Sequence, residues 1–170
     1  MQWIDRARAM YAAHRLSLPD PDRIDIGSVP DTGHLIQAID AAMPRSAILQ
    51  LIGPGHSSLL SFLVTRSLAT RRSTGEYFIS LDDGAVTELA RLAACCPTHE
   101  VCSHLFVQDG EHTLLEAFGR DRGEDVVWLS RRLRRGRIRR FLEVVSGAPQ
   151  ATERAPRPLA HCRPTVALVR

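Results

Sequence analysis

Lysine is absent from this chain; all 22 basic residues are arginine. Arginine keeps the charge and serves any surface role lysine would. Its exclusive use is what a GC-rich coding sequence would give. It also removes every side-chain amine for ubiquitin attachment, as would suit a protein delivered into a host cell. No run of about 18 apolar residues occurs, so no membrane-spanning helix is expected. Asp5 and Arg6 fall where a cleaved leader would be apolar, so no such leader is expected either. Residues 1–94 hold no cysteine, and three of the four present, Cys95, Cys96 and Cys102, lie within eight positions. A vicinal pair cannot bridge to itself without strain, so a reduced, cytoplasmic chain is expected, with secretion by a route lacking a cleaved signal left open. The loop Gly53-Pro54-Gly55-His56 lacks the spaced glycines and the Lys-Ser/Thr of a phosphate loop.

What is present suits one globular core: 170 residues, 44% of them hydrophobic. Trp3, Ile4, Ala7, Met10 and Tyr11 recur at helical spacing over residues 2–17, before Pro19-Asp20-Pro21-Asp22 stops the pattern. Asp31 or Thr32 can cap a helix through Leu35, Ile36, Ile39 and Ala42, and Ser57 or Ser58 can open another. Tyr77 to Leu81 reads as a strand, and Val86, Leu89, Ala90 and Ala93 line a helix. Glu124 and Asp125 fit the first turn of a helix through Val127, Leu129 and Leu133, with arginines in its last turn and Gly136 as its stop. Ile138 to Val145 then reads as a strand.

The densest signal is Cys102 to Phe118. His104, Phe106 and Gln108 alternate with Leu105 and Val107, Asp109-Gly110 supplies a turn, and Thr113 to Phe118 resumes the apolar pattern. Antiparallel pairing about residues 109–110 would bring His104 roughly opposite Leu115 or Glu116. An imidazole beside a carboxylate is the base-and-orienter half of a nucleophilic hydrolase. A strand histidine and a strand carboxylate with structural roles are the plainer reading of the same residues.

The order Gly75-Glu76-Tyr77-Phe78-Ile79-Ser80, a helix, Ser103-His104, a turn and Leu115-Glu116-Ala117 resembles the circularly permuted, YiiX-like branch of the NlpC-type papain-like cysteine hydrolases, over residues 75–145. The resemblance implies His104 as general base, Glu116 as its orienting carboxylate, and Cys162 as the downstream nucleophile. The implied reaction is thiolate attack on the carbonyl of a small amide, ester or peptide substrate, with no cofactor and no metal. Cys162 is followed by Arg163-Pro164 where the family carries serine and glutamate, so an active enzyme and a chain with a degenerate site are both open.

The expected architecture is α+β, a permuted papain-like core. A small antiparallel sheet from residues near 77–81, 101–108, 112–118 and 138–145 would pack on the helix at 85–95. Residues 1–72 are expected as a helical extension or cap, 73–147 as the core and 148–170 as an irregular tail.

Two other features compete for function. Cys96, His99 and Cys102 have zinc-ligand types at short spacing, but the usual closed site pairs two such knuckles and this one stands alone. Buried thiols acting as small apolar groups account better for Cys95 and Cys96. Arg131 to Arg140 carries seven arginines; removing them from the net charge of +3 leaves the remainder at −4. Such a segment could bind nucleic acid, anionic lipid or a protein partner. A solvated face paired with Glu124, Asp125 and Glu143 is the alternative.

Overall fold

The computed structural model describes residues 20–29, 31–71, 73–96, 98–118 and 126–147. The expected helix at 2–17, Glu124, Asp125, Cys162 and the expected tail at 148–170 lie outside the described residues.

The fold is α+β. Among the described residues seven strands form one antiparallel sheet in the order β1-β7-β6-β5-β2-β4-β3. They are β1 (Arg23–Gly27), β2 (Ile48–Ile52), β3 (Ala69–Arg71), β4 (Glu76–Ser80), β5 (His104–Asp109), β6 (His112–Phe118) and β7 (Val126–Ser130). The helices are α1 (Thr32–Ala42), α2 (Ser57–Arg66), α3 (Ala85–Ala93), the single turn α4 (Thr98–Val101) and α5 (Arg135–Val145).

Strand register explains the core. Ile24, Leu129, Leu115, Val107, Leu49 and Ile79 are successive cross-strand partners from β1 to β4, one apolar row across six strands. That face packs with Leu35, Ile36 and Ile39 of α1, Leu59 and Leu63 of α2, Val86 and Leu89 of α3, and Phe141 of α5 in one cluster. Each such side chain contributes about 1.5–3 kcal/mol when fully buried. Within the helical layer, α1 lies against both α3 and α5, and α2 flanks α3. Asp31 caps α1 by accepting from the backbone N–H of His34 at 2.8 Å.

Four expectations are corrected. The first 72 residues supply three strands as well as helices, and β2 sits between β5 and β4, so the sheet runs across the expected boundary at 72/73. Residues 126–130 are a strand, not a helix. Val127 and Leu129 are buried while Trp128 points to the other face, a period of two that pairs with β6 on one side and β1 on the other. Residues 138–145 are a helix, not a strand: Phe141 is its fully buried anchor, with Ile138, Val144 and Val145 packed against the core at helical spacing. Gly136, read as a stop, lies in the first turn of α5.

Candidate functional site

The second face of the sheet carries the residues singled out by the sequence. Asp25, Trp128, Glu116, Phe106, Gln50, Phe78 and Ala69 are successive cross-strand partners over all seven strands. One step along, His104 pairs with Phe118 and with Ile52, and Ile52 pairs with Glu76. His104 and Glu116 therefore share this face as diagonal neighbours, with Glu116 directly opposite Phe106. The expected pairing of His104 with residue 115 or 116 is displaced for two reasons. Asp109 and His112 are the last paired residues, which moves the turn to Gly110-Glu111, and a bulge beside Val107/Gln108 inserts Leu114.

Glu116 is fully buried and His104 half-buried. The imidazole lies parallel to the Phe106 ring, with centroids 6.5 Å apart. Its Nδ1 is 3.2 Å from Ser103 Oγ, and that hydroxyl also donates to Ile52 O at 3.0 Å. A hydroxyl has one proton; with it given to the carbonyl, Nδ1–H must donate to Oγ, which leaves Nε2 as the basic nitrogen. Ser103 thus fixes the ring tautomer. In the sequence Ser103 stands out only as part of the Ser103-His104 motif, although a serine at the mouth of a strand is well placed to bond the neighbouring strand.

The loop beside this pair is tightly built. Gly53 N donates to Gly75 O at 2.9 Å, and the N–H groups of Gly55 and His56 both donate to Glu100 O. Gly53 has φ of +65°, which favours glycine, and a Cβ there would come within 2.8 Å of Ser103 Oγ and displace that hydroxyl. His56 is the N-cap residue of α2 without bonding it through its side chain.

The described thiols do not serve the imidazole. Cys102 is buried in the main core cluster on the helix-covered side, away from the face that carries His104. Cys96 donates to Leu92 O at 3.3 Å. Burial, with Cys95 and Glu100 adding to it, pushes its pKa up and keeps it a neutral thiol. Cys95 is exposed, contrary to its reading as a buried group. Among the described residues no group of three or more His, Cys, Asp or Glu side chains converges on a common point. No described helix is long and apolar enough to cross a membrane.

The arginine segment forms a second candidate. Arg131 to Arg134 lead from β7 into α5, and Arg134 is the N-cap residue, with no side-chain cap and no acidic residue in the first turn. Several guanidinium groups have structural tasks. Arg137 donates to Ala42 O at 2.8 Å, satisfying a carbonyl at the end of α1. Arg131 donates to Arg23 O, and Arg132 reaches Asp22 at 3.7 Å. Arg139 and Arg140 pair with Glu143, at 2.9 and 3.9 Å. Arg134 and Arg135 are exposed, and among the described residues neither guanidinium group has a partner. Arg135, Ile138, Arg139, Leu142, Glu143 and Ser146 line a shallow cleft of about 480 Å³. Leu142 is 38% exposed, one of three large apolar side chains so open among the described residues.

A wider groove between α1 and α3 is lined in part by Asp40, which pairs with Arg45 at 2.5 Å and accepts from Thr87 at 2.7 Å. The Thr87 bond ties the two helices together, a structural task. Comparison with protein-family models, with curated proteins and with solved structures finds no match to this chain.

Proposed function

We propose that this domain is a binding module for a phosphate-bearing polyanion, engaged through Arg131–Arg140. One observation carries the reading: the arginines crowd the N-terminal end of α5, where the first turn holds no acidic residue. That end of a helix carries partial positive charge and unpaired N–H groups, so basic side chains there are electrostatically disfavoured and an anion relieves them. Arg134 and Arg135 stand free to bind, and guanidinium groups grip phosphate oxygens in pairs. The test is titration of the full chain with a duplex oligonucleotide and with phosphatidylserine vesicles at rising salt. Binding that weakens steeply with salt, and that Arg134→Glu with Arg135→Glu abolishes, supports the module. Absence of binding to both probes at low salt removes it.

A second reading is a papain-like thiol hydrolase with His104 as base, Glu116 as orienting carboxylate and Cys162 as nucleophile. What favours it is the common face of His104 and Glu116 and the ring tautomer that the Ser103 hydroxyl supports. Labelling of Cys162 by a thiol-reactive amide or ester probe, lost in His104→Ala, supports it. Labelling that is indifferent to His104 removes it.

A further inference from the structure

We infer that the partner of the arginine segment is an anionic phospholipid membrane, with the outer face of α5 set into its surface. The inference rests on the polyanion reading above and narrows it to one occupant. The inner side of α5 is already occupied: Phe141 is fully buried, Arg137 donates to Ala42 O, and the helix lies against α1. Arg135, Ile138, Arg139, Leu142 and Ser146 recur at i, i+3, i+4, i+7 and i+11, which places them together on another face, where they line the cleft of about 480 Å³. Leu142 stands 38% exposed in that stripe, with Arg135 and Arg139 exposed beside it. Glu143, the one carboxylate among the described lining residues, pairs with Arg139 and Arg140, so its charge is compensated.

Charge and apolar exposure on one face select the occupant. An anionic bilayer meets both: its headgroups take the guanidinium groups, and the hydrocarbon beneath them takes Leu142 and the open side of Ile138. Each arginine close to such a surface strengthens binding about fivefold. Charge also orients the domain. Arg131 to Arg140 carries seven positive charges while the rest of the chain sums to −4, so a negative surface draws this segment in and repels the remainder. Nucleic acid would use the arginines alone. An exposed leucine gains nothing from a phosphate backbone, and none of the described cleft residues is aromatic, so the cleft gives a base no ring to stack on.

The experiment compares the full chain and its Leu142→Ser variant on three probes at low salt: vesicles of phosphatidylcholine alone, vesicles of phosphatidylcholine mixed with phosphatidylserine, and a duplex oligonucleotide. The expected result is binding to the mixed vesicles that Leu142→Ser weakens about fivefold, with no effect of the variant on the oligonucleotide. Vesicle binding indifferent to Leu142→Ser, equal binding to both kinds of vesicle, or binding to the oligonucleotide without the mixed vesicles overturns the inference and leaves the polyanion module standing. Absence of binding to every probe removes both. A second variant reads depth directly. In Leu142→Trp, mixed vesicles brominated in their acyl chains should quench fluorescence beyond any quenching of the wild type, which already holds Trp3 and Trp128. No added quenching in a vesicle-bound Leu142→Trp protein also overturns the inference.

Discussion

Glu116 lies directly opposite Phe106, and both side chains are buried on a face that carries none of the helices of the main core. A carboxylate so placed keeps company with rings, and it persists only because its partners compensate its loss of water. Glu116→Ala removes the side chain and strands whatever bonded to it, so it should destabilise the fold by about 2–4 kcal/mol. Glu116→Gln preserves the shape and should cost less. Urea denaturation of the two variants gives the comparison; equal stability of wild type and Glu116→Ala would deny Glu116 a structural role.

Gly33 shows how closely α1 and α3 approach. A Cβ at this position would sit 2.7 Å from Ala94 Cβ and 2.8 Å from Ala94 Cα. Alanine is ordinarily worth about 1 kcal/mol over glycine inside a helix. Here the nearest atoms include backbone, which cannot swing away, so Gly33→Ala should instead destabilise by about 1–3 kcal/mol. The sign of the change in thermal midpoint decides between propensity and packing.

Legibility in the sequence followed how local each signal was. The β5–β6 hairpin was readable because alternation and Asp109-Gly110 lie within a few residues of one another, and α1 because Asp31 caps a clear apolar period. Residues 126–145 are ambiguous in sequence because short apolar runs fit either period. In sequence Val127-Leu129 fits a helix and Ile138-Phe141-Val145 a strand. The helical reading of 126–133 puts the arginines at a helix end that welcomes them, whereas burial of Phe141 puts them at the end that does not. His104 and Glu116 were found on one hairpin, but their exact register needed the bulge at Val107/Gln108, which no residue announces. Burial of the second face was hidden because each strand shows the same alternation whether its polar side faces water or another layer.

The Asp31 cap should give the protein a measurable acid sensitivity. Burial alone would raise this carboxyl's pKa, but bonds from the His34 side chain and backbone, with the imidazole charge, outweigh it and hold the pKa below the ordinary value. A carboxyl depressed on folding adds stability above its unfolded pKa, and that contribution fades as pH falls through the folded one. Wild type should therefore exceed Asp31→Ala by about 1 kcal/mol near neutral pH. Measured by urea unfolding, the gap should narrow once the pH drops below about 4. A gap that stays constant down to pH 2 would mean the helix cap does not depend on the ionised carboxylate.

Arg135 sets stability against binding, and the two can be read in one variant. It is the first residue of α5, exposed, at the end of the helix dipole that favours negative charge. Arg135→Glu reverses that clash and should stabilise the domain by about 0.3–1 kcal/mol at low salt, an effect that shrinks as salt screens it. The same change takes a phosphate ligand from the proposed surface and adds a repulsive charge. Arg135→Gln separates the two contributions: it should leave stability near that of the wild type and lower the salt slope of polyanion binding by about one. A charge retained at an electrostatic cost to the helix is the pattern expected when the residue serves a partner. If Arg135→Glu instead lowers stability, Arg135 holds the fold through a contact of its own, and the argument from the uncompensated helix end fails.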